Sequence, residues 1–148
     1  MINSIYMDLA LEEAKKAGAM GEVPVGAVIV KNGEVIAKAH NKKEKLNSPI
    51  AHAEILAIEE ACRKLNNWRL SGCELYVTLE PCPMCAGAIL QSRIAKLHIG
   101  VIDDTTGACG SIINVVQNPY LNHFLDVKWY SDERCSEILT FFFRNRRG

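Results

Sequence analysis

Residues 73–101 read CELYVTLEPCPMCAGAILQSRIAKLHIGV, and this stretch decides the fold. Cys73 to Leu79 is a short run rich in β-branched and aromatic residues, bounded upstream by Ser71-Gly72, which reads as a strand. Pro81 and Pro83 then announce a helix, because proline is tolerated in a first turn, where its missing N–H leaves nothing unpaired. That helix is expected to reach about Ser92. Ala95, Leu97, Ile99 and Val101 alternate with Lys96, His98 and Gly100, which predicts another strand. Strands linked through a helix imply a sheet covered by helices on both faces.

Upstream, Pro24 precedes the β-branched run Val25 to Val30, and Asn32-Gly33 is a strong hairpin-turn signal. Glu34 to Ala37 resumes the apolar pattern, so the first two strands are expected to pair antiparallel. A polar loop, Asn41 to Pro49, leads into a helix over about Ala51 to Leu65. Its Ile55, Ile58, Cys62 and Leu65 fall at the spacing of one buried face. Ser4 is a cap for a first helix to about Ala17, with Gly18 and Gly21 as stop signals. Leu125, Val127 and Trp129 alternate with Asp126 and Lys128 as a fifth strand. A last helix starts near Asp132 and carries Ile138, Leu139, Phe142 and Phe143. The order α-β-β-α-β-α-β-β-α predicts a single α/β domain over 1–148, built on a mixed sheet.

Composition agrees. The 148 residues can bury a sizeable core, and the balance of apolar and charged side chains excludes a disordered or low-complexity chain. No apolar run approaches the ~18 residues of a membrane span. Acids at Asp8, Glu12 and Glu13 argue against a secretory signal, so a cytoplasmic location and no membrane partner are expected. Of the cysteines at 62, 73, 82, 85, 109 and 135, only Cys82 and Cys85 are closely spaced. Reduced thiols are the expectation, and that pair needs its own explanation.

The explanation is metal chemistry. Cys82 and Cys85 open one predicted helix and share its face, while His52-Ala53-Glu54 opens another. Helix N-termini favour thiolates, and two thiolates with one imidazole suit zinc. No second CxxC and no HxxxH supplies a fourth ligand; His40, His98 and His123 stand alone. Three protein ligands, His52, Cys82 and Cys85, leave a place for water, which is the catalytic type of zinc site. Glu54, in the first helical turn, can then serve as general base and acid.

At these residues the chain resembles the cytidine/deoxycytidylate deaminase superfamily, and within it the bacterial tRNA-specific adenosine deaminases. The resemblance runs through Glu22-Val-Pro-Val-Gly-Ala-Val28, Ala51-His-Ala-Glu-Ile55, Thr78-Leu-Glu-Pro-Cys-Pro-Met-Cys-Ala-Gly-Ala-Ile89, Thr106-Gly-Ala-Cys-Gly-Ser111 and Phe141-Phe-Phe-Arg-Asn-Arg-Arg147. It implies a three-layer α-β-α sandwich with a five-stranded mixed sheet. It also implies one zinc ion per subunit and hydrolytic conversion of the wobble adenosine of a tRNA anticodon to inosine. Attack would come at C6, with Glu54 carrying the proton and ammonia leaving. The resemblance implies that Asn41 hydrogen-bonds the flipped purine, that Val25, Ala53 and Leu79 wall the pocket, and that Asp103 contacts flanking nucleotides. It further implies a homodimer acting on the anticodon stem-loop.

Two departures stand out. Thr105 occupies a position where relatives often carry lysine, and Cys109 one where alanine is common. Trp68 and Trp129 are expected to pack, the Phe141 to Phe143 run to be mainly core and interface, and His98 to sit in its strand. Seventeen basic side chains balance seventeen acidic ones, but the placement is uneven. Lys31 to Lys45 holds five lysines against two glutamates, and Arg144, Arg146 and Arg147 crowd the C-terminus. Local positive charge of this kind suits a folded RNA loop. The competing readings are deamination of a free base or nucleotide such as guanine or cytosine, and a non-catalytic RNA-binding module with structural zinc.

Overall fold

The computed structural model describes residues 4–146, so Arg147 of the C-terminal basic run lies outside the described residues. Four helices and five strands follow the expected order: α1 (Ile5–Ala19), β1 (Gly26–Lys31), β2 (Glu34–His40), α2 (Ala53–Leu65), β3 (Cys73–Leu79), α3 (Pro83–Gln91), β4 (Lys96–Val101), β5 (Asp126–Trp129) and α4 (Glu133–Arg146). The sheet order is β2-β1-β3-β4-β5. β1 pairs antiparallel with β2 and with β3, whereas β3–β4 and β4–β5 are parallel. The hairpin turn follows from its residues: Asn32 and Gly33 both take positive φ, the pair of angles a two-residue turn of this twist needs.

Alternation along the strands builds two cores. Ala27, Ile29, Leu75, Val77, Leu97 and Ile99 face α2 and α3, while Val28, Val30 and Tyr76 face α1 and Cys135 of α4. The sheet is therefore the middle layer of an α-β-α sandwich. Gly26 is obligatory at the start of β1. A Cβ there would strike the backbone of α1 at Ala10 and Ala14, so only glycine lets strand and helix approach so closely.

The structure corrects several expectations. The buried stripe of α2 is Ala53, Ala57 and Ala61, with Ile58, Cys62 and Leu65 only flanking it and Ile55 half-exposed. Small residues at i, i+4 and i+8 let the helix axis lie close to the sheet, which pushes the longer side chains to its margins. Gly18 lies inside α1, whose cap is Met20. Trp68 and Trp129 are exposed, and Phe141 and Phe143 lie outside the core of this chain, where Cys135 is the one buried residue of α4. Trp68 instead carries the Arg69 guanidinium over its ring at 4.6 Å. Among the described residues, no helix is long and apolar enough to cross a membrane.

Strand register decides where chemistry can happen. Gly26 stands opposite His40, Ala27 opposite Val77, and Leu79 beside Val101. The entry to β1, the exit of β2, the end of β3 and the segment after β4 consequently meet at one edge of the sheet. The N-termini of α2 and α3 open at that edge.

Candidate active site

Each of the two helices begins on a prospective metal ligand. His52 is the N-cap of α2 and Cys82 the N-cap of α3, both with extended backbone, and neither side chain caps its own helix. Cys85 lies one turn into α3 and is completely buried. The His52 Nδ1 atom stands 3.5 Å from Cys85 Sγ and 3.7 Å from Cys82 Sγ. Zn–S bonds of ~2.3 Å and a Zn–N bond of ~2.0–2.1 Å at tetrahedral angles put sulfur and nitrogen about 3.5 Å apart. The donor set and its spacing therefore fit zinc. Among the described residues, this trio is the one group of at least three histidine, cysteine or acidic side chains close enough to hold an ion.

The two sulfurs shift in opposite directions. Hydrogen bonding from Cys85, assisted by His52, holds the Cys82 thiol down at about 4. The same hydrogen bond, with burial, pushes Cys85 well up. The His52 imidazole is raised, first by its hydrogen bond with Cys82. Glu54 is almost wholly buried in the first turn of α2, and burial pushes its carboxyl up to about 7. A carboxyl near neutrality can both take and return a proton at physiological pH.

A cavity of about 180 Å³ opens over these groups. It is smaller than the ~300–1,000 Å³ of pockets that hold drug-sized ligands. Val25, Asn41, Ala53, Leu79 and Asp103 all line it, together with His52, Glu54 and Cys82. The site residues read from the sequence thus converge on one space, delivered from four different connections at the sheet edge.

Two of them are already engaged. Asn41 Nδ2 donates to the Val23 carbonyl at 3.2 Å, and its Oδ1 accepts from Lys43 N–H at 3.0 Å. One amide hydrogen and one lone pair remain for a ligand. The Asp103 carboxylate accepts from the backbone N–H and hydroxyl of both Thr105 and Thr106, at 2.7–3.1 Å. Thr105 and Thr106 therefore complete a tight turn around Asp103.

Sequence reasoning missed Glu80, Glu22, Lys43, Val23 and Thr106. Glu80, Lys43, Val23 and Thr106 line the cavity. Glu22 is buried and accepts from the backbone N–H groups of Glu44 and Lys45, which pins the loop beyond Asn41. The available signal was an acid in an apolar setting: Glu80 between Leu79 and Pro81, and Glu22 before Val23-Pro24-Val25. The other histidines work elsewhere. His98 is buried between Glu74 and Tyr130 and stacks on Tyr76, His40 contacts Glu13, and His123 hydrogen-bonds the Ile94 carbonyl. Cys109 is buried and its thiol is pushed up by burial to above the ordinary range, so it is no nucleophile.

Comparison with known proteins gives the same picture. The sequence model of the cytidine and deoxycytidylate deaminase zinc-binding region matches residues 2–101. A tRNA-specific adenosine deaminase of Aquifex aeolicus is 52% identical over 97% of this chain and 95% of its own length. A solved structure from work on A-to-I editing by tRNA:A34 deaminases superposes with a TM-score of 0.89 at 45% identity, covering 93% of this chain and 100% of that one. A guanine deaminase from Nitrosomonas europaea gives a TM-score of 0.75 at 27% identity, over 93% of this chain and 82% of that one.

Proposed function

The chain belongs to the cytidine and deoxycytidylate deaminase family, and from that premise we propose that it deaminates the wobble adenosine of a tRNA anticodon to inosine. The observation that carries the choice of substrate is the 52% identity to a tRNA-specific adenosine deaminase along nearly the whole of both chains. Adenosine and water become inosine and ammonia in this reaction. His52, Cys82 and Cys85 hold one zinc ion per subunit, which, when bound, acts as a Lewis acid and makes water a competent nucleophile at neutral pH.

The chain's own groups do the rest. Glu54 takes a proton from the attacking water and delivers it to the departing amine, a use suited to a carboxyl held near neutrality. Asn41 offers its remaining amide hydrogen and lone pair to the purine. Val25, Ala53 and Leu79 confine the ring and keep bulk water from the reacting carbon. Lys43 at the cavity mouth sits in the lysine-rich stretch 31–45, where it meets the phosphates flanking the extruded base.

The protein is a homodimer in this reading. Ile112, Ile113, Tyr120, Leu121 and Phe124 expose large apolar side chains within one segment, Tyr120 at 94%, and a second copy is the partner the family resemblance supplies. Its place of work is the cytoplasm, where tRNA is available.

The test is mass spectrometry of an anticodon stem-loop incubated with the zinc-loaded protein. Gain of inosine at the wobble position, with free guanine, cytosine and cytidine unchanged, is the expected result. Turnover of free guanine with no inosine in the RNA would overturn it in favour of a free-base deaminase, the reading favoured by the guanine deaminase fold match.

A further inference from the structure

Glu80 joins the end of β3 to the metal-binding turn that begins at Pro81, and its side chain is almost fully buried. Among the described residues no lysine, arginine or histidine forms an ion pair with it. A buried carboxylate survives in such a place only if hydrogen bonds replace its lost hydration. Four do. Oε1 accepts from Asp103 N–H at 3.0 Å and from the Ser111 hydroxyl, and Oε2 accepts from Cys109 N–H at 2.9 Å and Ser111 N–H at 3.1 Å. Gly107 packs so tightly on this carboxyl that a Cβ there would overlap it.

All four partners belong to the segment after β4, residues 103–111. That segment carries the Asp103 and Thr106 wall of the cavity, and it has no helix or strand of its own to hold it. One more tether joins it to the same turn, Ala108 N–H donating to the Pro81 carbonyl, and Glu80 N–H donates to the carbonyl of Val101 at the end of β4. The segment's other outward bonds, among them those from Val115 N–H to the Ala108 carbonyl and from Gly110 N–H to the Ile113 carbonyl, hold it only to the loop that follows. A glutamine could not replace the acid, because an amide has one acceptor oxygen, whereas this pocket presents four donors.

We infer that Glu80 is a positioning residue for substrate. Its carboxylate clamps segment 103–111 to the metal-binding turn and thereby sets the Asp103–Thr106 wall at a defined distance from Glu54 and the zinc ligands. The inference builds on the proposed RNA deaminase reading, but the clamp itself can be observed without substrate.

The experiment uses Glu80→Gln in the full zinc-loaded protein, with an anticodon stem-loop containing a wobble adenosine. Hydrogen exchange at the Asp103 amide should quicken about tenfold, the scale of one lost charge-assisted hydrogen bond. KM should rise about tenfold while kcat per bound zinc stays within about threefold, the signature of lost substrate binding and not of lost chemistry. Zinc content should remain one ion per chain. Unchanged KM with a lower melting temperature would overturn the inference and leave a purely structural acid. So would a fall in kcat alone, or loss of zinc. Should Glu80→Gln not fold, Ser111→Ala removes one donor and keeps the acid; it should shift KM and Asp103 exchange in the same direction by a smaller factor, and no shift overturns the clamp. Quickened exchange beside a wild type that leaves the stem-loop untouched would refute the substrate reading while sustaining the clamp.

Discussion

His52 Nδ1 lies 3.5 Å from Cys85 Sγ, although the two residues are separated by 33 positions and sit at the starts of different helices. That contact exists because β1 and β3 are sheet neighbours and bring the helices that follow β2 and β3 to one edge. His52→Ala should therefore abolish more than a pairwise contact. We expect zinc affinity to fall by more than the ~10–100-fold typical of losing an outer partner, with melting temperature dropping only in zinc-containing buffer. Metal analysis after dialysis, together with thermal unfolding with and without zinc, checks both.

Glu54→Gln should separate metal binding from proton transfer. The amide is isosteric and buried, so zinc content and melting temperature should be retained. Turnover should fall by ~10²–10⁴-fold, the usual contribution of a positioned acid–base group. Single-turnover conversion of the stem-loop, normalised to bound zinc, measures it; a loss below tenfold would remove Glu54 from the proton path.

Asn41 serves both the loop and the ligand, so Asn41→Ala should show two effects. Loss of its bonds to Val23 and Lys43 should cost about 1–3 kcal/mol of stability. KM for the stem-loop should also rise by more than this destabilisation explains. Urea unfolding and steady-state kinetics on the same preparation test the pair of expectations.

His98 makes stability depend on pH. Burial holds its imidazole below the ordinary 6.5 despite the 2.6 Å contact with Glu74, with Lys96 and Lys128 adding repulsion. Between that lowered value and 6.5 the unfolded chain binds more protons than the folded one, so this contribution to stability rises with pH. It is fully present above 6.5 and is lost as the pH falls below it. In urea unfolding, the stability difference between wild type and His98→Gln should widen as the pH rises from about 5.5 to about 7.5. A constant difference would show that His98 binds its proton equally in both states.

Phe124→Glu places a charge in the exposed apolar segment proposed to meet a second copy. Sedimentation at micromolar concentration should show wild-type dimers and variant monomers, with unchanged secondary structure by circular dichroism. Equal masses for the two proteins would place any self-association elsewhere.

Local chemistry determined a large part of this molecule from sequence alone. Asn32-Gly33 can hardly avoid a tight hairpin, Pro83 suits the first turn of a helix because its missing N–H leaves nothing unpaired there, and alternation in Lys96–Val101 points to a strand. Element order, the zinc trio and Glu54 were legible for the same reason, since their spacing is short and their side-chain chemistry is distinctive. The face of α2 was misread because periodicity ranks residues by size and hydrophobicity, whereas close packing against the sheet selected Ala53, Ala57 and Ala61. Trp68 is exposed, and Phe141 and Phe143 lie outside the chain's own core, because an apolar side chain does not say whether a neighbour in the same chain will cover it. Only the tertiary structure brought Glu80 to Asp103, Cys109 and Ser111, and Glu22 to Glu44 and Lys45. A buried carboxylate is stabilised by backbone N–H groups, and every residue but proline carries one, so no pattern of side chains in the sequence could have pointed to those partners.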